Sequence, residues 1–222
     1  RNGDELQTTL ADLMNNALTE KPLGKSEGIL RHEEGVDLIP SNLELSAMEM
    51  SLVNAMSREL TLKNCLKEFR KDYEYILIDC MPSLGMITVN ALVAADSVII
   101  PVQAQYLPAK GMTQLVQTIG KVKRTINPNL KIDGIVLTLV DGRTNLAKQT
   151  MHILRNQYGN RMKIYDSRIP VAVKAAETSF QGKSIYSYDK NSPVAKAYEE
   201  LTKEVMRDGE KTRDRLRSSE AR

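Results

Sequence analysis

The chain has 222 residues, of which 41% are hydrophobic and 27% are charged, a composition that suits a soluble domain with a full core. The formal net charge of +3 is compatible with DNA binding but does not by itself indicate it. No segment approaches the ~18 consecutive apolar residues of a membrane-spanning helix, and the polar opening residues do not resemble a signal peptide. We therefore expect a cytoplasmic protein that does not bind membranes.

The chain has few cysteines and histidines. Cys65 lies in a helical stretch and Cys80 follows an apolar run, which predicts two reduced core thiols rather than a disulfide framework. His32 and His152 have no Cys or His at ligand spacing, so no zinc site is expected.

Apolar runs of strand length alternate with amphipathic stretches along the chain, a pattern typical of a doubly wound parallel sheet. The candidate strands are Val36–Pro40, Tyr75–Asp79, Ser97–Val102, Ile132–Val140 and Lys163–Tyr165. The middle three are nearly continuous runs of Ile, Leu and Val, which predicts strands covered on both faces. The predicted fold class is therefore α/β, with a mostly parallel sheet and helices on both faces.

Three helices are predicted from apolar residues at helical spacing. Their apolar stripes lie within residues 112–126, 146–158 and 194–205, and the first two are followed by Asn127–Pro128 and Gly159. After Arg207 the sequence becomes strongly polar. We expect one α/β domain over residues 1–207 and a charged tail over 208–222 that is either frayed helix or disordered.

The most informative segment is an apolar run that ends in an acid and enters a turn rich in Pro, Ser and Gly. The run is Tyr75–Ile78, the acid is Asp79 and the turn is Cys80–Gly85. Ligands bind beyond the carboxyl ends of strands in open parallel sheets, and in P-loop NTPases an acid at this place holds the magnesium ion. The same local pattern also arises where an acid only caps the next turn.

This segment belongs to an ordered series of motifs that resembles the ParA/Soj family of partition ATPases, which have a deviant Walker P-loop. The match spans roughly residues 29 to 206 and includes Leu38–Asn42, Leu60–Lys63, Asn90–Leu92, Ile100–Gln103, Thr138–Leu146, Glu177, Tyr188–Asp189 and Ala197–Tyr198. The resemblance implies a P-loop NTPase-like sheet, with ATP and Mg²⁺ as cofactors. It also implies an ATP-bound homodimer that binds DNA non-specifically at the nucleoid and a ParB-like partner that stimulates hydrolysis.

The resemblance also implies roles for individual residues. Asp79 would hold Mg²⁺ through a water molecule. The segment that senses the γ-phosphate would contain Met81, Pro82, Ser83 and Gly85. The turn that lines the adenine pocket would be Ile169, Pro170 and Val171, although Val171 stands where the family often has an arginine.

The family's glycine-rich phosphate loop is missing from this sequence. Gly24–Lys25–Ser26 imitates the end of such a loop, but the position five residues before Gly24 is Thr19, where the P-loop pattern requires glycine. No apolar strand precedes it. We therefore expect this chain to lack the first strand–P-loop–helix unit, the P-loop lysine and the water-positioning acid. It then holds no catalytic residue, and we expect no normal ATP hydrolysis by it.

Two cations fall at positions where the family pattern carries DNA-contacting arginines. Arg143 lies in the turn Asp141–Thr144, and Lys174 follows the apolar stretch Ile169–Val173. A lysine keeps the charge but loses the bidentate fork of an arginine. Both residues are also compatible with ordinary solvated cations, and we interpret Lys121, Lys123 and Arg124 in that way.

Two alternatives to a partition ATPase are considered. A MinD-like ATPase would need a terminal helix with an apolar face for membrane attachment, and Leu216 is the only large apolar residue after Arg207. A non-catalytic, truncated ParA-like module that binds DNA or a partner without nucleotide is favoured by the missing phosphate loop. Whether the chain acts as an enzyme therefore stays open at this point.

Overall fold

The computed structural model describes residues 6–22, 24, 27–104 and 109–220, and within the last range the side chains of residues 111–209. The chain folds into two compact units. The first unit contains residues 1–96 and 113–130, and the second contains residues 97–112 and 131–222. That residues 1–207 form a single domain stays a prediction.

The first unit is mainly helical. Its helices are α1 (Leu10–Leu18), α2 (Glu44–Val53), α3 (Thr61–Leu66) and α4 (Met86–Ala94), and α5 (Ala109–Thr125) returns the chain to it. Two short antiparallel strands, β1 (Leu30–Arg31) and β2 (Asp37–Leu38), pair with each other. The core contains Leu13, Met14, Leu52, Leu62, Cys65 and Phe69.

A capping box defines the start of α1. The Asp12 carboxylate accepts hydrogen bonds from the backbone N–H of Thr9 at 2.8 Å and from its hydroxyl at 2.9 Å. This arrangement satisfies a backbone donor that precedes the first helical turn. It directs Leu13 and Met14, both fully buried, into the core.

Two predicted strands are corrected by the structure. Only Asp37–Leu38 of the predicted strand Val36–Pro40 is a strand, and Tyr75–Asp79 is not a strand at all. Within the described residues the second segment pairs with no other strand, and Leu77 is 93% exposed. A strand needs a hydrogen-bonded neighbour as well as a suitable sequence.

The prediction of two buried core thiols is correct for Cys65 and wrong for Cys80. Cys65 is buried in α3, and burial raises the pKa of its thiol to about 11, as expected of an inert core cysteine. Cys80 is exposed and is not a core thiol, because of the apolar run before it only Ile78 is partly buried against the core.

The second unit is built on a three-stranded parallel sheet in the order β3-β4-β5. Its strands are β3 (Ser97–Gln103), β4 (Lys131–Val140) and β5 (Ile164–Pro170). Its helices are α6 (Asn145–Tyr158), α7 (Val173–Gln181), α8 (Ile185–Asp189) and α9 (Pro193–Glu220). The structure thus confirms the predicted α/β class and the strands within residues 97–102 and 132–140.

The prediction of strands covered on both faces holds for β4, where Gly134–Leu137 are consecutively buried. It is wrong for β3, where Ile100 and Val102 are buried but Ile99 and Pro101 are exposed. The carboxyl end of β4 also departs from regular pairing. The register shifts between Leu137 and Val140, and Leu139 between them has a positive φ of 51°, as in a β-bulge.

Helix α9 packs along β5. It begins at Pro193, with the Ser192 hydroxyl accepting a hydrogen bond from the Ala195 N–H, a pattern typical of helix starts. A cluster of Val136, Tyr165, Ile169 and Val194 forms the shared core. The helix continues to Glu220, through most of the predicted tail. Within the described residues no helix is long and apolar enough to cross a membrane.

Candidate functional site

Asp79 lies in an exposed segment of the first unit that is neither helix nor strand. Its side chain is exposed, as are those of Tyr75, Ile76 and Leu77 before it. The pKa of the neighbouring Cys80 thiol is raised, mainly by partial desolvation and to a smaller extent by the negative charge of the Asp79 carboxylate. The carboxylate is therefore accessible to a ligand from solvent, and the next thiol stays protonated near neutral pH.

The loop after Asp79 is held by hydrogen bonds within its own stretch of chain. The Ser83 N–H donates to the Met81 carbonyl at 2.7 Å. The Thr88 hydroxyl in α4 donates to the Ser83 carbonyl, also at 2.7 Å. Pro82 and Ser83 are exposed. The first turn of α4 therefore fixes the position of the loop that follows the acid.

Glu49 of α2 caps the start of α4, a contact that the sequence reasoning missed. Its carboxylate accepts a hydrogen bond from the Met86 N–H at 2.5 Å. A Cβ added to Gly85 would lie 1.8 Å from this carboxylate oxygen. Gly85 has φ −74° and ψ −175°, which any residue adopts, so the space for Glu49 accounts for the glycine. A carboxylate at a helix N-terminus also interacts favourably with the helix dipole.

Two buried asparagines hold α4 in place, one in its middle and one against its carboxyl end. Asn90 donates to the carbonyls of Arg58 at 2.9 Å and Met86 at 3.1 Å and accepts from the Leu62 N–H at 3.0 Å. Asn127 donates to carbonyls at the end of α4, including that of Ala95 at 2.8 Å. Buried amides with all these partners hold one geometry, so α4 is a rigid support for the loop.

The residues present fit the magnesium side of a nucleotide site. Mg²⁺ in such sites takes one or two carboxylates and completes its octahedron with water and substrate phosphates, and Asp79 offers an exposed carboxylate for this role. Within the described residues Asp79 belongs to no cluster of three or more metal-ligating side chains, so phosphate oxygens and water would supply the remaining ligands. Of the loop-like Gly24–Lys25–Ser26, Lys25 and Ser26 lie outside the described residues.

The remaining predicted site residues lie in the second unit, at the carboxyl ends of β4 and β5. Val140 pairs with Pro170, and the Val171 N–H donates to the Val140 carbonyl at 3.2 Å. Ile169 is buried, whereas Val171 is 50% exposed. The Val171 side chain is therefore available at the edge of the sheet where ligands of parallel sheets bind, whereas its N–H is taken by Val140.

Arg143 is held by an acid of its own turn. Its guanidinium makes a bidentate pair with Asp141, with Nε–Oδ1 at 3.0 Å and Nη2–Oδ2 at 2.9 Å. The hydrogen bond from Arg143 lowers the pKa of Asp141 to about 2, and the same bond raises the pKa of Arg143. The arginine side chain is still 90% exposed, so its outer face is open to solvent.

Lys174 is paired in a similar way. It lies in the first turn of α7, and its Nζ donates to Asp189 Oδ2 of α8 at 2.5 Å. The hydrogen bond to Asp189 raises the pKa of Lys174 and lowers that of Asp189. The structure thus brings Arg143, Lys174 and Ile169–Val171 to one edge of the second unit, while Asp79 and Met81–Gly85 belong to the first.

A polar cleft of about 620 Å³ lies elsewhere in the second unit. It is lined by Lys163, Asp166, Ser167, Arg168, Glu200, Lys203, Glu204, Arg207 and Asp208. None of the predicted site residues lines it. Its lining carries charges of both signs, and Lys163 pairs with Glu204 at 3.1 Å.

Comparison with known proteins identifies relatives of this chain. A family model described as an AAA domain matches residues 2–132, more than half of the chain. The sporulation initiation inhibitor protein Soj of Bacillus subtilis is 42% identical over 176 residues, which cover 79% of this chain and 69% of Soj. The chromosome partitioning protein ParA of Myxococcus xanthus is 39% identical over 78% of this chain and 60% of that protein.

Solved structures are similar to the fold. The crystal structure of cobyrinic acid a,c-diamide synthase from Mycobacterium smegmatis has a TM-score of 0.78 and 29% identity, over 93% of this chain and 75% of that one. The same enzyme with a bound ATP analogue and magnesium has a TM-score of 0.69 and 32% identity, over 77% and 65% of the chains. Apo McdA from Cyanothece has a TM-score of 0.77 over 91% of this chain and 80% of that one. Its identity of 18% supports a shared fold and nothing more.

The sheet, the flanking helices and these similarities define a P-loop NTPase-like α/β protein. The identity to Soj extends over most of both chains, and the chain belongs to the ParA/Soj family of partitioning ATPases.

Proposed function

We propose that this chain is part of a partition ATPase in which ATP and Mg²⁺ control dimerisation and non-specific DNA binding, and in which a ParB-like protein stimulates hydrolysis. The observation that carries the proposal is the exposed Asp79, which precedes a loop tied to the rigid helix α4. An accessible acid next to a fixed loop is what coordination of magnesium beside a phosphate requires.

The relatives support the same function. Those named Soj or ParA include proteins described as chromosome-partitioning, and a structural relative at 32% identity was solved with an ATP analogue and magnesium. By this proposal Asp79 holds Mg²⁺ through a water molecule, and Met81, Pro82, Ser83 and Gly85 form the segment that senses the γ-phosphate. Backbone groups of Ile169, Pro170 and Val171 line the adenine pocket.

The phosphate cradle is not encoded in this sequence, so this chain by itself is proposed to lack normal ATPase activity. The cradle's backbone amides and its lysine carry the phosphate contacts in P-loop proteins. Magnesium-dependent ATP turnover by the 222-residue chain at rates typical of its relatives would contradict this part of the proposal.

Ligand-dependent stability tests the nucleotide site. Melting temperature is measured with and without ATP and Mg²⁺ for this chain and for a version extended upstream with a glycine-rich strand–loop–helix unit. We expect stabilisation of the extended version only, of about 2.7 kcal/mol at a ligand concentration of 100 Kd. In the extended version, Asp79→Asn should remove the part of this stabilisation that depends on magnesium. Stabilisation unaffected by Asp79→Asn would reject the metal role.

DNA binding is assigned to the exposed cations at the carboxyl edge of the second unit. Arg143 and Lys174 would contact backbone phosphates without reading bases, at the nucleoid in the cytoplasm. Replacing Arg143 with Ala should weaken binding to all sequences and lower the slope of log K against log salt by roughly one unit. Lys203→Ala on α9 is the matched control, and an equal effect there would count against Arg143.

A non-catalytic DNA- or partner-binding module is the second candidate, favoured by the missing phosphate loop. Restoring the upstream unit should then produce no stabilisation by ATP and Mg²⁺. DNA binding by the 222-residue chain would in that case be independent of nucleotide.

A further inference from the structure

The two cations assigned to DNA binding are both occupied by carboxylates of this same chain. Arg143 is bound through two of its nitrogens by Asp141, at 3.0 and 2.9 Å. Lys174 is bound by Asp189 at 2.5 Å. A DNA phosphate would offer the same kind of acceptor, oxygens in a plane that matches the guanidinium fork.

The carboxylates are placed to remain charged. The hydrogen bond from Arg143 holds the pKa of Asp141 at about 2, and the hydrogen bond from Lys174 lowers the pKa of Asp189. Both acids are therefore ionised near neutral pH. They would also repel a phosphate that approaches either cation.

We propose that Asp141 and Asp189 are intramolecular competitors of DNA phosphates, which hold Arg143 and Lys174 and so weaken DNA binding at this edge. The inference rests on the proposed function, because it assumes that the two cations contact DNA. It adds two residues that limit affinity, at positions to which the resemblance assigns no role.

The exposure of the pairs suits competition rather than permanent pairing. The Arg143 side chain is 90% exposed and that of Lys174 is 59% exposed, so each cation is open to solvent on one side. Solvent screens exposed ion pairs, so they contribute little to stability. A polyanion can therefore displace them, and DNA bound by this edge would be released readily.

The backbone at Asp141 allows a mild substitution. Besides the guanidinium pair, Asp141 Oδ1 accepts a hydrogen bond from the Arg143 N–H at 3.1 Å. Asparagine keeps this acceptor and the turn but loses the negative charge and one of the two side-chain acceptors. Glu199 provides a matched control, because it also forms an exposed pair, with Lys203, and Glu199→Gln changes the net charge equally.

The test measures binding of the version extended upstream, in the presence of ATP and Mg²⁺, to a labelled duplex of random sequence by fluorescence anisotropy in about 0.1 M salt. Asp141→Asn should tighten binding by about two- to fivefold, and Asp189→Asn should do the same. Glu199→Gln should change it by much less. In an Arg143→Ala background, Asp141→Asn should no longer tighten DNA binding, because the guanidinium that it would release is absent.

The outcomes separate the inference from the proposed function. If Arg143→Ala weakens binding while Asp141→Asn matches Glu199→Gln, DNA contact stands and competition is rejected. A gain that persists without Arg143 also rejects competition, since it then reflects net charge alone. If neither Arg143→Ala nor Asp141→Asn changes binding, or if no variant binds at the lowest salt tested, both proposals fail.

Discussion

Gly85 is the residue that makes room for Glu49 at the start of α4. An alanine Cβ would lie 1.8 Å from the Glu49 carboxylate, and since a glutamate side chain can swing away, the result is a lost helix cap rather than a fixed clash. We expect Gly85→Ala to lower the free energy of unfolding by about 1–2 kcal/mol, measured by urea denaturation.

A double-mutant cycle distinguishes the lost cap from a general intolerance of alanine at position 85. In a Glu49→Ala background no carboxylate is left to displace, so Gly85→Ala should there cost only a few tenths of a kcal/mol. An equal cost in both backgrounds would show that Glu49 is not the reason for the glycine.

Asp141 should titrate far below a normal aspartate. Because its folded-state pKa is about 2 and the unfolded value is about 3.9, the pair contributes stability above about pH 4, which is lost as pH falls towards 2. A ¹³C NMR titration of the carboxyl group should give a midpoint near 2 in the wild type. In Arg143→Ala it should move up towards the unfolded value, and an unchanged midpoint would assign the shift to another group.

Tyr165 is fully buried, and its hydroxyl has no hydrogen-bond partner within the described residues. Burial, and then the Asp133 carboxylate, raise its pKa. Removing an unpaired buried hydroxyl breaks no hydrogen bond and removes the free-energy cost of its desolvation. Tyr165→Phe should therefore leave the free energy of unfolding unchanged or raise it by about 1 kcal/mol. If thermal unfolding instead shows that Tyr165→Phe loses a similar amount of stability, the hydroxyl has a hydrogen-bond partner. Tyr165→Ala, which also removes the ring, should lower the free energy of unfolding by about 3–5 kcal/mol.

At the scale of elements, one side chain joins α9 to β5. Glu204 accepts hydrogen bonds from the backbone N–H groups of Asp166 and Ser167, each at 3.2 Å, and pairs with Lys163. Burial opposes its ionisation, yet these hydrogen bonds hold its pKa below the usual value. The carboxylate therefore covers donors on the outer edge of the sheet, where unpaired N–H groups invite association.

Glu204→Ala should consequently lower the free energy of unfolding by about 1–2 kcal/mol, because it removes the charged acceptor of these two backbone donors. Glu199→Ala, which removes an exposed pair with Lys203 on the same helix, should have no measurable effect on the free energy of unfolding. Chemical denaturation of both variants measures the difference. Equal costs would mean that α9 is held by its apolar face alone.

The local sequence pattern predicted some elements correctly, but it could not predict contacts with residues that are distant in the sequence. The strands β3 and β4 and the helices α5 and α6 follow from the periodicity of their own residues. The cap from Glu49 to Met86 joins residues 37 positions apart, and no single-sequence pattern reports such a pair. By contrast the Arg143–Asp141 pair has a spacing of two residues within one turn, and it was within reach of sequence reasoning.

At the scale of the whole molecule, the same limit explains the predicted strand Tyr75–Asp79. Its composition is that of a buried strand, but a strand forms only when a neighbour completes its hydrogen bonds, and no described residue does so. The family could be inferred from motif order alone, whereas the role of Asp79 stays a prediction. The conformation of the segment before Asp79 depends on what lies beside it.

The exposed apolar segment leads to a prediction about association. Leu77 is 93% exposed and Tyr75 is 58% exposed, and exposed apolar strand-like segments promote aggregation. Leu77→Lys should leave the free energy of unfolding within about 0.5 kcal/mol while reducing the concentration-dependent light scattering of the chain. Leu62→Ala, at a residue that is 3% exposed, should instead cost about 2–5 kcal/mol. If Leu77→Lys is as costly as Leu62→Ala, the segment is covered in solution, and a dependence of that cost on protein concentration would identify a second copy as the cover.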